Sequence, residues 1–68
     1  MMNKRELTDY CCGMLEKLPV TCGRGEEYRR CYYECMRRTL ESGYSERAFA
    51  DIWYNAMLWY EASHRLSA

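Results

Sequence analysis

Apolar residues recur at intervals of three and four positions along three separate stretches of this chain. That spacing is the 3.6-residue period of a helix with one buried face, whereas a half-buried strand would alternate apolar and polar residues. The apolar positions are Leu7, Tyr10, Cys11, Met14, Leu15 and Leu18; Tyr28, Cys31, Tyr32, Cys35, Met36, Thr39 and Leu40; and Phe49, Ile52, Trp53, Ala56, Met57 and Tyr60. The sequence therefore predicts an all-α fold of three helices.

Local signals predict where these helices begin and end. Asn3 followed by Glu6 is the pattern of a capping box, and Pro19 should stop the first helix. Gly43 suits the left-handed position after the second helix, and Ser45 can cap the third. The predicted helices span about residues 3–18, 25–42 and 45–66.

The connection between the second and third helices is only about three residues long, which favours adjacent, antiparallel helices in an αα-hairpin. A chain of 68 residues has room for one domain, so we expect a single helical domain over residues 1–68. A chain this short buries only about 60% of the surface that its unfolded form exposes. Its core alone gives a thin stability margin, and we expect it to form a homodimer.

Five cysteines occur, an odd number, and the charged start of the chain does not resemble a secretion signal. These features favour a reducing cytoplasm, free thiols and cysteines that pack as small apolar residues. A disulfide and a zinc site stay open as alternatives, because Cys31 and Cys35 lie one helical turn apart. Further zinc ligands would have to come from Cys11, Cys12, Cys22 or His64. With no C-x2-C pair in the chain, we expect no metal and no other cofactor.

Charge and motif content exclude several function classes. Ten basic and ten acidic side chains give a formal net charge of zero, which removes the bulk field that draws proteins to nucleic acids or anionic membranes. No run of about 18 apolar residues exists, so we expect no membrane partner. No diagnostic catalytic motif occurs, and we expect a cytoplasmic protein that is not an enzyme.

The third helix carries more apolar residues than its core-facing side can hold. The surplus residues are Tyr54, Leu58, Trp59, Ala62 and Leu66. A helix that is apolar all round is usually buried all round, which a three-helix domain of this size cannot achieve. Aromatic residues are enriched in the cores of protein interfaces. We therefore predict a protein-binding surface at these five positions, with the core of a homodimer as the alternative role.

The second helix carries four arginines around an outward-facing tyrosine, and these residues could form a polar rim for a protein interface or contact nucleic acid: Arg29, Arg30, Tyr33, Arg37 and Arg38. Carboxylates interleave with the arginines. Three pairs are spaced for i,i+4 ion pairing, which would largely neutralise this face: Glu26 with Arg30, Glu34 with Arg38, and Arg37 with Glu41.

Taken together, these features predict a small protein-binding module. Short, autonomous chains with a large aromatic surface have the character of phage or mobile-element inhibitors, such as anti-CRISPR proteins, that sterically block a host protein. The alternative is a small dimeric DNA-binding regulator of helix-turn-helix type, with Gly43 at the turn. In that alternative the aromatic third helix would have to enter the groove, where basic and polar side chains are typical.

Overall fold

The computed structural model describes residues 1–18 and 25–67, with side chains up to Ser63. Its helices are α1 (Lys4–Glu16), α2 (Gly25–Glu41) and α3 (Glu46–Ser67), and no strand occurs in the described ranges. The all-α prediction is confirmed, and each helix bound lies within two residues of the predicted one. Pro19 and Cys22 lie outside the described residues. Within those ranges, none of the helices is both long and apolar enough to cross a bilayer.

The first helix begins at the predicted capping box. The Asn3 side-chain oxygen accepts a hydrogen bond from the Glu6 N–H at 2.9 Å, and the Glu6 carboxylate accepts one from the Asn3 N–H at 2.9 Å. Two backbone donors that the helix cannot satisfy internally are thereby paired. At the other end Lys17 caps the helix, with its N–H directed at the Met14 and Leu15 carbonyls.

We expect Asn3→Ala to lower the free energy of unfolding by about 1 kcal/mol, because alanine has no acceptor for the Glu6 N–H. Asn3→Asp should retain most of the stability, since it keeps the acceptor and places a negative charge at the helix N-terminus. Urea denaturation of the two variants and the parent chain measures both effects. An equal loss in both variants would show that the side-chain acceptor at residue 3 is not what stabilises the helix.

The turn between α2 and α3 confirms two further predictions. Gly43 adopts a positive φ of +92°, and the Tyr44 N–H donates to the Thr39 carbonyl oxygen at 3.2 Å. The Ser45 hydroxyl oxygen then accepts the Ala48 N–H at 3.2 Å and caps α3. These contacts end one helix and begin the next within a few residues.

The core is built from the predicted apolar faces of all three helices. Each pair of helices is in contact, and α1 packs more extensively against α3 than against α2. The buried apolar residues are Leu7, Cys11, Leu15, Cys31, Cys35, Phe49, Ile52, Ala56 and Tyr60. Leu40 departs from the prediction, because 42% of its surface is exposed. It lies in the last turn of α2, where it is not covered as the residues nearer the middle of the helix are.

Two threonines are buried in this core, and the hydroxyl group of each has a hydrogen-bond partner. The Thr39 hydroxyl, fully buried, donates to the Cys35 carbonyl oxygen at 2.8 Å, and the Thr8 hydroxyl donates to the Lys4 carbonyl oxygen at 2.8 Å. A buried hydroxyl without a hydrogen-bond partner costs about 1–3 kcal/mol, and these bonds within each helix avoid that cost.

Candidate functional site

The outward side of α3 exposes large apolar side chains. Tyr54 is 65% exposed, Leu58 46% and Trp59 48%, and Ala62 is also exposed. Tyr54, Leu58 and Ala62 follow one another at intervals of four residues and form one ridge of the helix, because consecutive residues lie about 100° apart around its axis. The fifth predicted residue, Leu66, has its side chain outside the described part of the chain.

The structure divides these residues between two sides of α3. Tyr54 and Leu58 line a groove of about 500 Å³ between α3 and α2. Trp59 lines a separate hollow of about 520 Å³ between α3 and α1. A partner that covers the outer side of α3 would therefore meet both concavities, one on each flank of the helix.

The first concavity, here called the aromatic groove, is lined by rings from both helices. Its lining includes Tyr28, Tyr32, Phe49, Trp53, Tyr54 and Glu61. The Tyr32 ring lies 5.2 Å from the Trp53 ring and 5.1 Å from the Phe49 ring, centroid to centroid, at 85° and 75°. Tyr28 meets Trp53 edge-on at 5.9 Å. Edge-to-face packing is the favoured geometry for aromatic pairs, so the groove has a well-packed floor.

The second concavity sets Trp59 beside basic residues from the start of α1. Lys4, Arg5 and Thr8 line the hollow together with Asn55 and Trp59. In the part of the chain that the structure describes, neither Lys4 nor Arg5 forms an ion pair. The hollow therefore combines an exposed indole with two cations that have no acidic partner there.

Four of the five predicted rim residues on α2 lie around one groove. Arg29, Arg30, Tyr33 and Arg37 line a concavity of about 790 Å³ between α1 and α2. Arg38 lies elsewhere, with its guanidinium carbon 5.3 Å from the centroid of the Tyr10 ring. A cation over an aromatic face is attracted by the ring quadrupole, so Arg38 joins α1 to α2.

The ion pairs on α2 differ from those that the spacing predicts. Arg37 pairs with Glu41 at 2.7 Å, as predicted, and it also pairs with Glu34. The hydrogen bond from Arg37 lowers the pKa of the Glu34 carboxyl. The predicted pairs Glu34 with Arg38 and Glu26 with Arg30 are not formed among the described residues. One guanidinium can meet two carboxylates on neighbouring turns, and Arg37 thereby takes the partner expected for Arg38. Neither Arg29 nor Arg30 has an ion pair in the described ranges.

The predicted core packing of the cysteines is confirmed for Cys11, Cys31 and Cys35, which are at most 3% exposed. Contact with the Cys11 thiol and burial raise the pKa of Cys35, and burial raises the pKa of Cys31. Because the thiolate is the reactive form, Cys31 and Cys35 are poor nucleophiles. Over the described residues, no group of three or more His, Cys, Asp or Glu side chains is arranged to hold a metal ion.

Sequence reasoning missed both flanks of α3. It assigned Tyr28, Tyr32 and Trp53 to the core, yet each is only partly buried and lines the aromatic groove. The signal was present, because aromatic residues four apart on two helices joined by a short turn should face each other. No local pattern linked Trp59 to the first turn of α1, more than 50 residues away in the chain.

Comparison of the chain with models of protein families, with curated proteins and with solved structures finds no match. Its function is therefore inferred from the chemistry of its own surfaces. Among the described residues, the outer side of α3 carries three exposed large apolar side chains, whereas the α2 arginines border a separate groove between α2 and α1.

Proposed function

We propose that this protein is a small, non-enzymatic protein-binding module whose binding surface is the outer side of α3. The observation that carries the proposal is the exposure of Tyr54, Leu58 and Trp59, each between 46% and 65%, on a single helix. Exposed apolar patches mark interaction sites, and tyrosine and tryptophan are enriched where interfaces are fully buried. Ala62, which is also exposed, continues this surface, and Leu66 is the next position at the same spacing of four residues in the sequence.

The mode of action that fits such a surface is steric. Trp59 and Tyr54 act as the anchors that contribute most of the binding free energy, and the arginines of α2 form a polar rim for a partner that extends past α3 onto α2. A compact cytoplasmic protein of this kind covers a functional surface of a larger protein. We infer that it belongs to the class of phage or mobile-element inhibitors, of anti-CRISPR or host-regulator type, that block a host protein.

Trp59→Ala should abolish capture of the partner. Tagged protein is incubated with nuclease-treated bacterial lysate, and the retained proteins are quantified by mass spectrometry. Truncation of a central aromatic anchor costs about 2 kcal/mol or more, so we expect at least a tenfold loss of one stoichiometric partner. Leu40→Ala is the matched control, because Leu40 is a 42% exposed apolar residue of α2 that belongs to none of the candidate surfaces.

Two outcomes contradict the proposal. Equal capture by Trp59→Ala and by the parent chain would remove α3 as the binding surface. Loss of the partner in both Trp59→Ala and Leu40→Ala would show that exposed apolar surface in general, and not the outer side of α3, is responsible. Circular dichroism of the three proteins confirms that each variant keeps its helices.

The homodimer remains the principal alternative occupant of the same surface. In that arrangement α3 of one copy packs on α3 of the other, within a bundle whose α2 and α3 form the antiparallel αα-hairpin. Contacts of Tyr28 with Trp53 and of Tyr32 with Phe49 support the hairpin, because later residues of α2 meet earlier residues of α3. Light scattering across a concentration series distinguishes a homodimer from a monomer whose α3 surface is available to another protein.

A DNA-binding regulator is the second candidate function, and Arg29 and Arg30, which form no ion pair among the described residues, favour it. In the described ranges no carboxylate pairs with either guanidinium, so both remain available for phosphates. Arg37, held between Glu34 and Glu41, is less available. A DNA fragment shifted at low salt, with the shift lost in Arg29→Gln/Arg30→Gln, would support this candidate; no shift at low salt would exclude it.

A further inference from the structure

The aromatic groove between α2 and α3 has a composition that a simple apolar contact does not require. Aromatic rings from two helices surround it, and the Tyr32 ring of α2 meets the Phe49 and Trp53 rings of α3 edge-to-face, at 75° and 85°. Its volume of about 500 Å³ lies in the range of sites that take a small molecule or a single side chain.

The charge of the groove has one sign. Glu61 is the one charged residue in its lining, and no lysine, arginine or histidine of the described residues lines it. Glu61 is exposed and forms no ion pair within the part of the chain that the structure describes. Aromatic faces carry the negative end of the ring quadrupole, so rings and carboxylate attract the same kind of group.

We propose that the aromatic groove receives a positively charged side chain, lysine or arginine, from the protein partner. The apolar stem of that side chain lies along Met57 and Leu58, and its cationic head lies against the rings of Tyr32, Trp53 and Tyr54. Glu61, about two turns further along α3, attracts the head through the groove without contacting it. The proposal rests on the proposed function, because the groove adjoins the binding surface through Tyr54 and Leu58. It adds the chemistry of the group that the partner inserts.

A cation is a better occupant than an apolar side chain because a bound partner would cover the Glu61 carboxylate, and a carboxylate that is removed from water needs an opposite charge. An apolar side chain in the groove would remove water from Glu61 and would supply neither a positive charge nor a hydrogen bond in its place. A lysine or arginine covers Met57 and Leu58 with its methylene stem and sets its positive charge against the rings, in a groove where Glu61 also attracts it.

The test compares two small probes of nearly equal shape. Choline carries a trimethylammonium group, and 3,3-dimethylbutan-1-ol is its neutral counterpart with carbon in place of nitrogen. The protein is the full chain with Trp59→Phe, which leaves Trp53 as the sole tryptophan and places the fluorescent reporter in the groove. We expect choline to change Trp53 fluorescence in a saturable way, at constant ionic strength, and to bind more tightly than the neutral alcohol.

Charge removal at the groove provides the matched variants. Glu61→Gln should weaken choline binding roughly two- to fivefold, the size of an exposed cation interaction, and leave binding of the alcohol unchanged. Asp51→Asn, at another exposed acidic position of α3, should change neither. Equal binding of the two probes, or equal choline binding by Glu61→Gln and its parent, overturns the proposal. Tyr54→Leu removes one ring of the groove at a 65% exposed position, and we expect it to weaken choline binding.

Two experiments distinguish failure of the groove proposal from failure of the proposed function. Probe binding is measured without any partner, so it can fail while the Trp59→Ala capture experiment succeeds, and the reverse. Choline is then added to the capture experiment, against sodium chloride at the same ionic strength. Reduced capture supports a partner side chain in the groove. Undiminished capture at a choline concentration that saturates the groove assigns it to a free ligand and overturns the proposal.

Discussion

Replacing Phe49 by alanine should leave the chain largely unfolded at room temperature. Phe49 is 2% exposed, and its ring contacts those of Tyr32 and Trp53. Truncating a buried phenylalanine costs about 3–5 kcal/mol, from lost burial and the cavity left behind. A core in a domain of this size rarely supplies more than about 3–5 kcal/mol in total. The variant therefore loses about as much stability as the parent chain has.

Tyr54→Ala is the control for this prediction, because it removes an aromatic ring from the same helix at a 65% exposed position. We expect its stability to lie within about 0.5 kcal/mol of the parent value. Far-ultraviolet circular dichroism during heating measures both variants. A cooperative transition in Phe49→Ala at the parent temperature would show that the aromatic contacts between α2 and α3 do not hold the fold together.

Alanine should have opposite effects at two glycines. Gly43 has a φ of +92°, where an L side chain is strained, so Gly43→Ala should destabilise the fold by about 1–2 kcal/mol. Gly13 lies inside α1, where glycine costs roughly 0.5–1 kcal/mol relative to alanine, so Gly13→Ala should stabilise it by that amount. An added Cβ would meet no atom within 4 Å at either position, so neither effect includes a clash.

Chemical denaturation of the two alanine variants measures a difference of about 1.5–3 kcal/mol between them, the sum of the two opposite effects. Gly43→Asn should recover part of the loss, because asparagine tolerates the left-handed region better than alanine. If both alanine variants moved stability in the same direction, the backbone conformation of Gly43 would not be the cause.

The sequence predicts the helices well because their signals are local. The capping box of Asn3 and Glu6, the positive φ of Gly43 and the hydroxyl cap of Ser45 each involve residues at most three or four positions apart. The apolar period likewise compares neighbours on one helical face. Leu40 fits that period and is nevertheless exposed, because the period does not say how far a neighbouring helix extends.

The candidate site was only partly predictable because its concavities form between helices. Exposure of Tyr54, Leu58 and Trp59 followed from the excess of apolar residues on α3. That Trp59 lies beside Lys4 and Arg5 depends on how α1 packs against α3, which no local pattern encodes. The same reason explains Arg38, which leaves its predicted carboxylate for the Tyr10 ring on another helix.

The extensive packing of α1 against α3 has a consequence for how the chain is made. A ribosome releases α1 first, and the face of α1 that holds Leu7 and Leu15 finds its principal partner only after α3 has been synthesised. Until then the nascent chain displays apolar helix faces that a trigger factor or another chaperone can recognise. The bundle therefore acquires its native interior late during translation, when the third helix closes on the first.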